Sequence, residues 1–242
     1  MNKALNWIIG FIVILAFMLG IVFNFQKPIT LWLTGIHQHK YSIKKIPTDT
    51  MSKNKKLEGN FDTAHVNNVN FVDVVKAQLQ NQNYPVIGAI AYPDVGINLP
   101  IFNGDGYNIM LFGAGTMKAG QEMGKGNFAL ASHHVSNVMG PGYSSLLFSP
   151  LTKSKLGQQI FLTDKEKVYD YTVDKVTVIS EDQGQVILDS PGKKILTLIT
   201  CDTSNGEGTS ERILVQATLK RVSDFNNKTA EVFNTEYNQY EK

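Results

Sequence analysis

Hydrophobic and polar positions follow three different rules along the chain. From Ala4 to Gln26 no residue is charged, and 5–23 reads LNWIIGFIVILAFMLGIVF, 19 residues that as a helix extend about 28 Å. That stretch predicts a transmembrane helix, with residues 1–26 as the anchor. It exceeds the apolar core of a cleaved signal peptide, and Asn24-Phe25-Gln26-Lys27-Pro28 offers no small-residue cleavage site. Residues 27–66 then turn polar, with Lys40, Lys44, Lys45, Lys53, Lys55 and Lys56, and predict a spacer between membrane and domain.

Phe71, Val74, Val75 and Leu79 recur at helical spacing after Asn70, predicting an amphipathic helix over 70–82 that Pro85 ends. Beyond Pro85 the pattern shortens into strand-length apolar runs at 86–92, 97–102, 109–112, 127–132, 159–163, 169–180, 194–201 and 212–222. Gly, Pro, Asn and Asp turns separate them. Eight such runs predict an all-β domain, a barrel or sandwich, with at most a helical turn near 144–148 or 153–155. The folded domain is expected over 67–222, and the polar tail 223–242 is expected to be loosely held.

Charge and cysteine content narrow the classes. The 23 basic and 21 acidic residues are mixed along the chain for a net +2, which marks no basic face for nucleic acid. A single cysteine, Cys201, excludes an internal disulfide and a multi-cysteine zinc site. His37 and His39 have no Cys or carboxylate nearby and receive no metal role.

Cys201 follows the apolar run Ile195 to Thr200 and precedes Asp202-Thr203-Ser204-Asn205-Gly206, so it lies where a strand leaves the sheet. If that strand and the next form an antiparallel hairpin, Arg212 lies across from Cys201. A fixed cation there favours thiolate, the nucleophilic form, while burial opposes it. The guanidinium can also donate hydrogen bonds to a carbonyl oxygen that gains negative charge. The run 127–134 delivers His133 and His134 to another strand end, where an imidazole could take the thiol proton and return it to a leaving amine. Each residue taken singly also has a structural role open to it: a packed small hydrophobe, a strand-end His, an edge charge.

The residues together resemble the sortases. Thr197-Leu198-Ile199-Thr200-Cys201 matches their T-L-x-T-C signature, Arg212-Ile213-Leu214-Val215 matches the strand with their essential arginine, and Ala129-Leu130-Ala131-Ser132-His133-His134 looks like their catalytic-histidine segment. Similarity continues through 88–102, 113–117 and 145–151, in the family's order from about Phe71 to Val222. The resemblance implies an eight-stranded β-barrel with short helices. It implies Cys201 as acyl-thioester nucleophile, His133 as proton donor and acceptor, and Arg212 as stabiliser of the substrate carbonyl and oxyanion. His133 matches the family's histidine position, leaving His134 as a neighbour that orients or shields it. The family's groove is walled by the loop before the cysteine strand, here 180–194, so Val186, Ile187 and Leu188, with Ala131 beside the histidine, are the expected substrate contacts.

The chain carries neither an Asp-Pro-aromatic lid nor a C-terminal membrane helix, and its single N-terminal anchor is similar to the class A arrangement. That class implies surface proteins bearing an LPxTG signal as substrates, an amine of a peptidoglycan precursor as acceptor, and membrane lipid around the N-terminal helix. It also implies a cytoplasmic N-terminus and an extracellular catalytic domain in a Gram-positive bacterium. Lysine counting alone, Lys3 before the helix against Lys27, Lys40, Lys44 and Lys45 after it, mildly favours the other orientation. No cofactor is expected: Glu181, Asp182 and Asp189 read as solvated loop acids rather than calcium ligands. A cysteine protease with the same nucleophile and base, and a tethered β-barrel binding module in which Cys201 only packs, are the competing readings.

Overall fold

The structure is a computed structural model that describes residues 5–21, 40–61, 76–77, 83–135, 145–204 and 210–234. Eight strands close into one barrel in the order β1-β2-β3-β4-β7-β8-β6-β5. They are β1 Val86–Tyr92, β2 Ile97–Phe102, β3 Ala114–Thr116, β4 Asn127–Ala131, β5 Gln159–Thr163, β6 Lys167–Ser180, β7 Ile195–Cys201 and β8 Glu211–Asp224. Closure comes from β1, which pairs antiparallel with β2 on one side and with β5 on the other. The β2/β3 and β4/β7 pairs are parallel; the rest are antiparallel.

Alternation along each strand decides what fills the barrel. Ile90, Phe128, Leu130, Leu196, Leu198, Ile213 and Val215 belong to one buried inner cluster. Their sequence neighbours Ala129, Ala131, Thr197, Ile199, Cys201, Arg212, Leu214 and Gln216 therefore form the outer face of the β4-β7-β8 strip. That outer face carries the site.

One expected strand is replaced. Residues 109–112 lie at a short helix, α3 Tyr107–Met110, and the barrel strand follows it at Ala114–Thr116. An apolar run of four cannot by itself distinguish a buried helical turn from a strand. The helical turn expected near 153–155 is a 3-10 turn at Ser149–Lys153.

Both presumed flanks are also folded in part. Within the expected spacer, α2 Thr48–Asn54 and its surroundings bury Tyr41, Ile43 and Met51 in a second apolar cluster with Ala89, Ala91, Phe102 and Phe112. Phe233, on a short helix Glu231–Asn234 in the presumed loose tail, joins the same cluster. This explains why every residue of β1 is buried: one face looks into the barrel and the other lies under these segments. Sparse apolar residues in a lysine-rich stretch were enough to dock it, because full burial of one such side chain contributes roughly 1.5–3 kcal/mol.

Residues 5–21 form a continuous helix, α1, whose described side chains are all exposed, Trp7 at 82% and Phe17 at 70%. Among the described residues no helix is long and apolar enough to cross a membrane. Residues 22 and 23, which complete the apolar stretch read from the sequence, lie outside the described residues, as does most of the expected helix 70–82.

Candidate active site

Strand register builds the site. Cys201, last residue of β7, pairs with Arg212 near the start of β8, as the hairpin reading expected. Parallel pairing sets Ala131 of β4 beside Ile199 of β7, and the contact continues past the last pair. The amide of Ser132 donates to the Ile199 carbonyl at 3.3 Å, and Thr200 Oγ1 donates to the Ser132 carbonyl at 2.9 Å. His133 and Cys201 each lie two residues beyond the Ala131/Ile199 pair, so the register carries both to the same end of the strip.

His133 is held from below. Its side chain is buried, Nε2 lies 3.2 Å from the Tyr107 carbonyl of α3, and the Tyr107 ring meets the imidazole edge-on at 4.8 Å between centroids. Ser132 Oγ donates to the Gly113 carbonyl at 2.7 Å, which ties the same segment to the end of the α3 turn. His134 turns the other way: its Nε2 lies 3.0 Å from Thr203 Oγ1, in the loop after Cys201. Burial pushes the His134 imidazole below its usual range, against the opposing pull of Asp202. The two histidines thus occupy different environments despite adjacency.

Cys201 is partly exposed. Burial pushes its thiol above the ordinary value; Arg212 pulls it down, and Glu181 pushes it up again. Desolvation outweighs the neighbouring cation, so the surroundings of Cys201 disfavour the thiolate. Glu181 is solvent-exposed, as expected of a loop acid, and is also ion-paired: its Oε2 lies 2.5 Å from Arg212 Nη2, while Arg212 Nη1 donates to the Glu211 carbonyl at 2.9 Å. Asp189 is likewise engaged, by Lys118 Nζ at 2.6 Å and by the Asn127 amide at 2.9 Å.

The loop between β6 and β7 returns over the far end of the same strip. Its 3-10 turn Gly184–Ile187 holds Val186 and Ile187 half-buried, and Leu188 is 60% exposed. Asn127 Nδ2 donates to the carbonyls of Val186 at 2.9 Å and Leu188 at 3.3 Å. Thr197 Oγ1 donates to Asn127 Oδ1 at 2.7 Å, and Gln216 Nε2 to Thr197 Oγ1 at 3.2 Å. Gly126, with φ +50, lets the Asp189 carboxylate approach so closely that a Cβ would sit 2.7 Å from its Cγ. The loop is therefore clamped at the start of β4 and of β7, whose first residue Ile195 lies about 20 Å along the strand from Cys201 at about 3.3 Å per residue. Between clamp and Cys201 the outer face carries Ala131, which is partly exposed, with Ile199 and Leu214, which are both buried.

Among the residues singled out from the sequence, Cys201, His133 and Arg212 thus come together. Ala131 joins them, and the loop trio lies at the other end of the strip. Glu181, Tyr107 and the Asn127-Thr197 clamp were not anticipated. Glu181 becomes visible only once β6 and β8 are known to pair, because Ile179 lies opposite Arg212 and the Glu181 amide donates to the Ser210 carbonyl at 2.7 Å.

The family model of the sortase domain matches residues 90–220, more than half of the chain. The chain is also 40% identical to Sortase A of Streptococcus agalactiae serotype III (strain NEM316) over 238 residues, covering 97% of this chain and 94% of that protein. It belongs to the sortase family. A second relative, Sortase A of Listeria monocytogenes (strain EGD-e), is 34% identical over 79% of this chain and 83% of that protein. The crystal structure of Listeria monocytogenes sortase A superimposes with a TM-score of 0.57 at 36% identity, covering 62% of this chain and 98% of that one. The chain is accordingly a cysteine transpeptidase of the sortase A type, and the eight-stranded barrel is the family's fold.

Proposed function

We propose that this sortase cleaves an LPxTG-type signal between Thr and Gly, holds the Thr carbonyl as a thioester on Cys201, and passes it to an amine of a peptidoglycan precursor. The observation that carries the reading is the meeting of Cys201 and Arg212 across β7 and β8, with His133 delivered to the same end by β4. His133 takes the thiol proton as sulfur attacks the Thr carbonyl carbon. The carbonyl π pair moves onto oxygen, and Arg212 donates hydrogen bonds to the oxyanion. Collapse breaks the C–N bond; the glycine nitrogen leaves as an amine with the proton from His133.

Resolution repeats these steps in reverse order. The acceptor amine attacks the thioester, His133 removes its proton, and the sulfur departs and is reprotonated. Amine wins over the more abundant water when the acyl group lies where an acceptor is positioned and water is not. The partly exposed Ala131 beside the thiol and the apolar side chains of the β6-β7 loop suit an extended Leu-Pro segment leading to the thiol, with Val186, Ile187 and Leu188 as the proposed wall.

The exposed apolar helix α1 supports anchoring in the membrane, its full stretch 5–23 being long enough at 1.5 Å per residue. The catalytic domain then stands outside a Gram-positive cell and acts on surface proteins. The test is product partition: the full-length protein in detergent, an LPxTG peptide, and rising concentrations of glycine or alanine peptides. Ligated product should accumulate with amine, and only slow hydrolysis should occur without it. A ligated-to-hydrolysed ratio that stays near zero for all acceptors would favour the protease reading.

A further inference from the structure

We infer that Glu181 is a positioning residue of this active site, which fixes the guanidinium plane of Arg212 beside Cys201 through the acceptor oxygen it presents to Nη2. The inference rests on the proposed role of Arg212 and extends it.

The geometry is specific. An arginine side chain has four rotatable bonds and a planar fork, and its value at a reacting carbonyl depends on where that plane points. Here the fork is held at both ends: Nη1 donates to the Glu211 carbonyl at 2.9 Å and Nη2 contacts Glu181 Oε2 at 2.5 Å. The first partner is backbone of the same strand. The second comes from the residue immediately after β6, fixed by the Glu181 amide on the Ser210 carbonyl and by the Ile179/Arg212 and Ser180/Glu211 pairs.

Stability does not explain the arrangement. The Glu181 side chain is 54% exposed, and an ion pair that wet adds little to folding. Charge balance at the thiol does not explain it either, since a carboxylate near Cys201 opposes the thiolate that catalysis needs. A feature that contributes little stability and counteracts the nucleophile's charge still gives Arg212 a defined orientation. Glu181 also opens the loop 181–194 that walls the proposed groove, so the same contact ties the loop's first residue to the catalytic end.

The acceptor oxygen and the negative charge can be separated by substitution. Glu181→Gln keeps an oxygen at the same reach and removes the charge; Glu181→Ala removes both. Full-length enzyme, an LPxTG peptide and a glycine-peptide acceptor are assayed for kcat and KM, with Arg212→Ala alongside and melting temperatures for each. Glu181→Ala should lower kcat about tenfold with KM nearly unchanged and no loss of melting temperature, while Glu181→Gln should return kcat to the wild-type level or above. Wild-type kcat in Glu181→Ala, with Arg212→Ala inactive, overturns this inference and leaves the role of Arg212 standing. Equal loss in the Gln and Ala variants also overturns it, because charge rather than the acceptor oxygen would then matter. Retained turnover in Arg212→Ala overturns the reading of Arg212 and this inference with it.

Discussion

The strip formed by β4, β7 and β8 has two ends with opposite electrostatic character. At the start of β4 and β7, Asn127, Thr197, Gln216 and the Val186 carbonyl form a chain of hydrogen bonds, and the Asp189 carboxylate is bound by Lys118 and a backbone amide. At the other end the Cys201 thiol is pushed up by burial, and two buried polar atoms have no hydrogen-bond partner among the described residues: His134 Nδ1, and Asp105 Oδ1 next to the strip, where Asp105 packs on Gly115 of β3 opposite Ala131. The same three strands thus separate the work: one end fixes the register and holds the loop, while the other tolerates poorly solvated groups that can exchange protons. Clamping at the first end fixes which residues meet at the second, because a one-residue slip would turn Cys201 and Arg212 into the barrel.

Substitutions at the two ends should therefore fail in different ways. The largest effect belongs to Cys201→Ala: turnover of an LPxTG peptide should vanish, while the melting temperature stays within about 2 °C of wild type, since the residue is partly exposed and the clamp is intact. Loss of folding together with activity would make Cys201 a packing residue. His133→Ala should be nearly as inactive, whereas His134→Ala should keep measurable turnover, because His134 reaches toward Thr203 while His133 is set on the Tyr107 carbonyl. Steady-state kinetics on the two variants checks this, and the reverse ranking would reassign the base.

At the clamped end the loss should be stability. Thr197→Val removes the hydroxyl between Asn127 and Gln216 and leaves the buried Asn127 Oδ1 without that donor, at a cost of about 1–3 kcal/mol. Denaturant titration should show it, with turnover of the folded variant close to wild type. The smallest effect sharpens the comparison through pH. Burial pushes the Asp105 carboxyl from an ordinary 3.8 up to about 6. Between these values the folded state holds a proton that the unfolded chain has released, so Asp105 contributes a fall in stability as pH rises from about 3.8 to about 6, and the deficit remains above that. Asp105→Asn should remove this slope, raising the melting temperature relative to wild type at pH 7 but not at pH 3.5.

The legible and illegible parts of the molecule divide along physical lines. Strands with clear alternation or a fully apolar run, such as Val86–Tyr92, Ile97–Phe102 and Gln159–Thr163, were readable to the residue because turns bound them on both sides. The short run at Ile109–Phe112 was not, since four apolar residues fit a helical turn equally well. The docked segments around Met51 and Phe233 were missed because only a few large side chains in a polar stretch are buried, and no period reveals them. In the site, the Cys201/Arg212 meeting followed from hairpin pairing of sequence neighbours. The Glu181 contact depended on β6 pairing with β8 across an intervening strand, which nothing local encodes.

The proposed acyl acceptor is the single thiol at the open end of this strip, Cys201. Full-length enzyme mixed with an LPxTG peptide in the absence of amine, quenched in acid and digested, can be mapped by mass spectrometry. The fragment containing Cys201 should gain the peptide's mass up to threonine, less water, and this gain should be lost on brief treatment with hydroxylamine and absent from Cys201→Ala. Peptide cleavage at an unchanged rate in Cys201→Ala, or an acyl group on any other residue, would contradict this assignment.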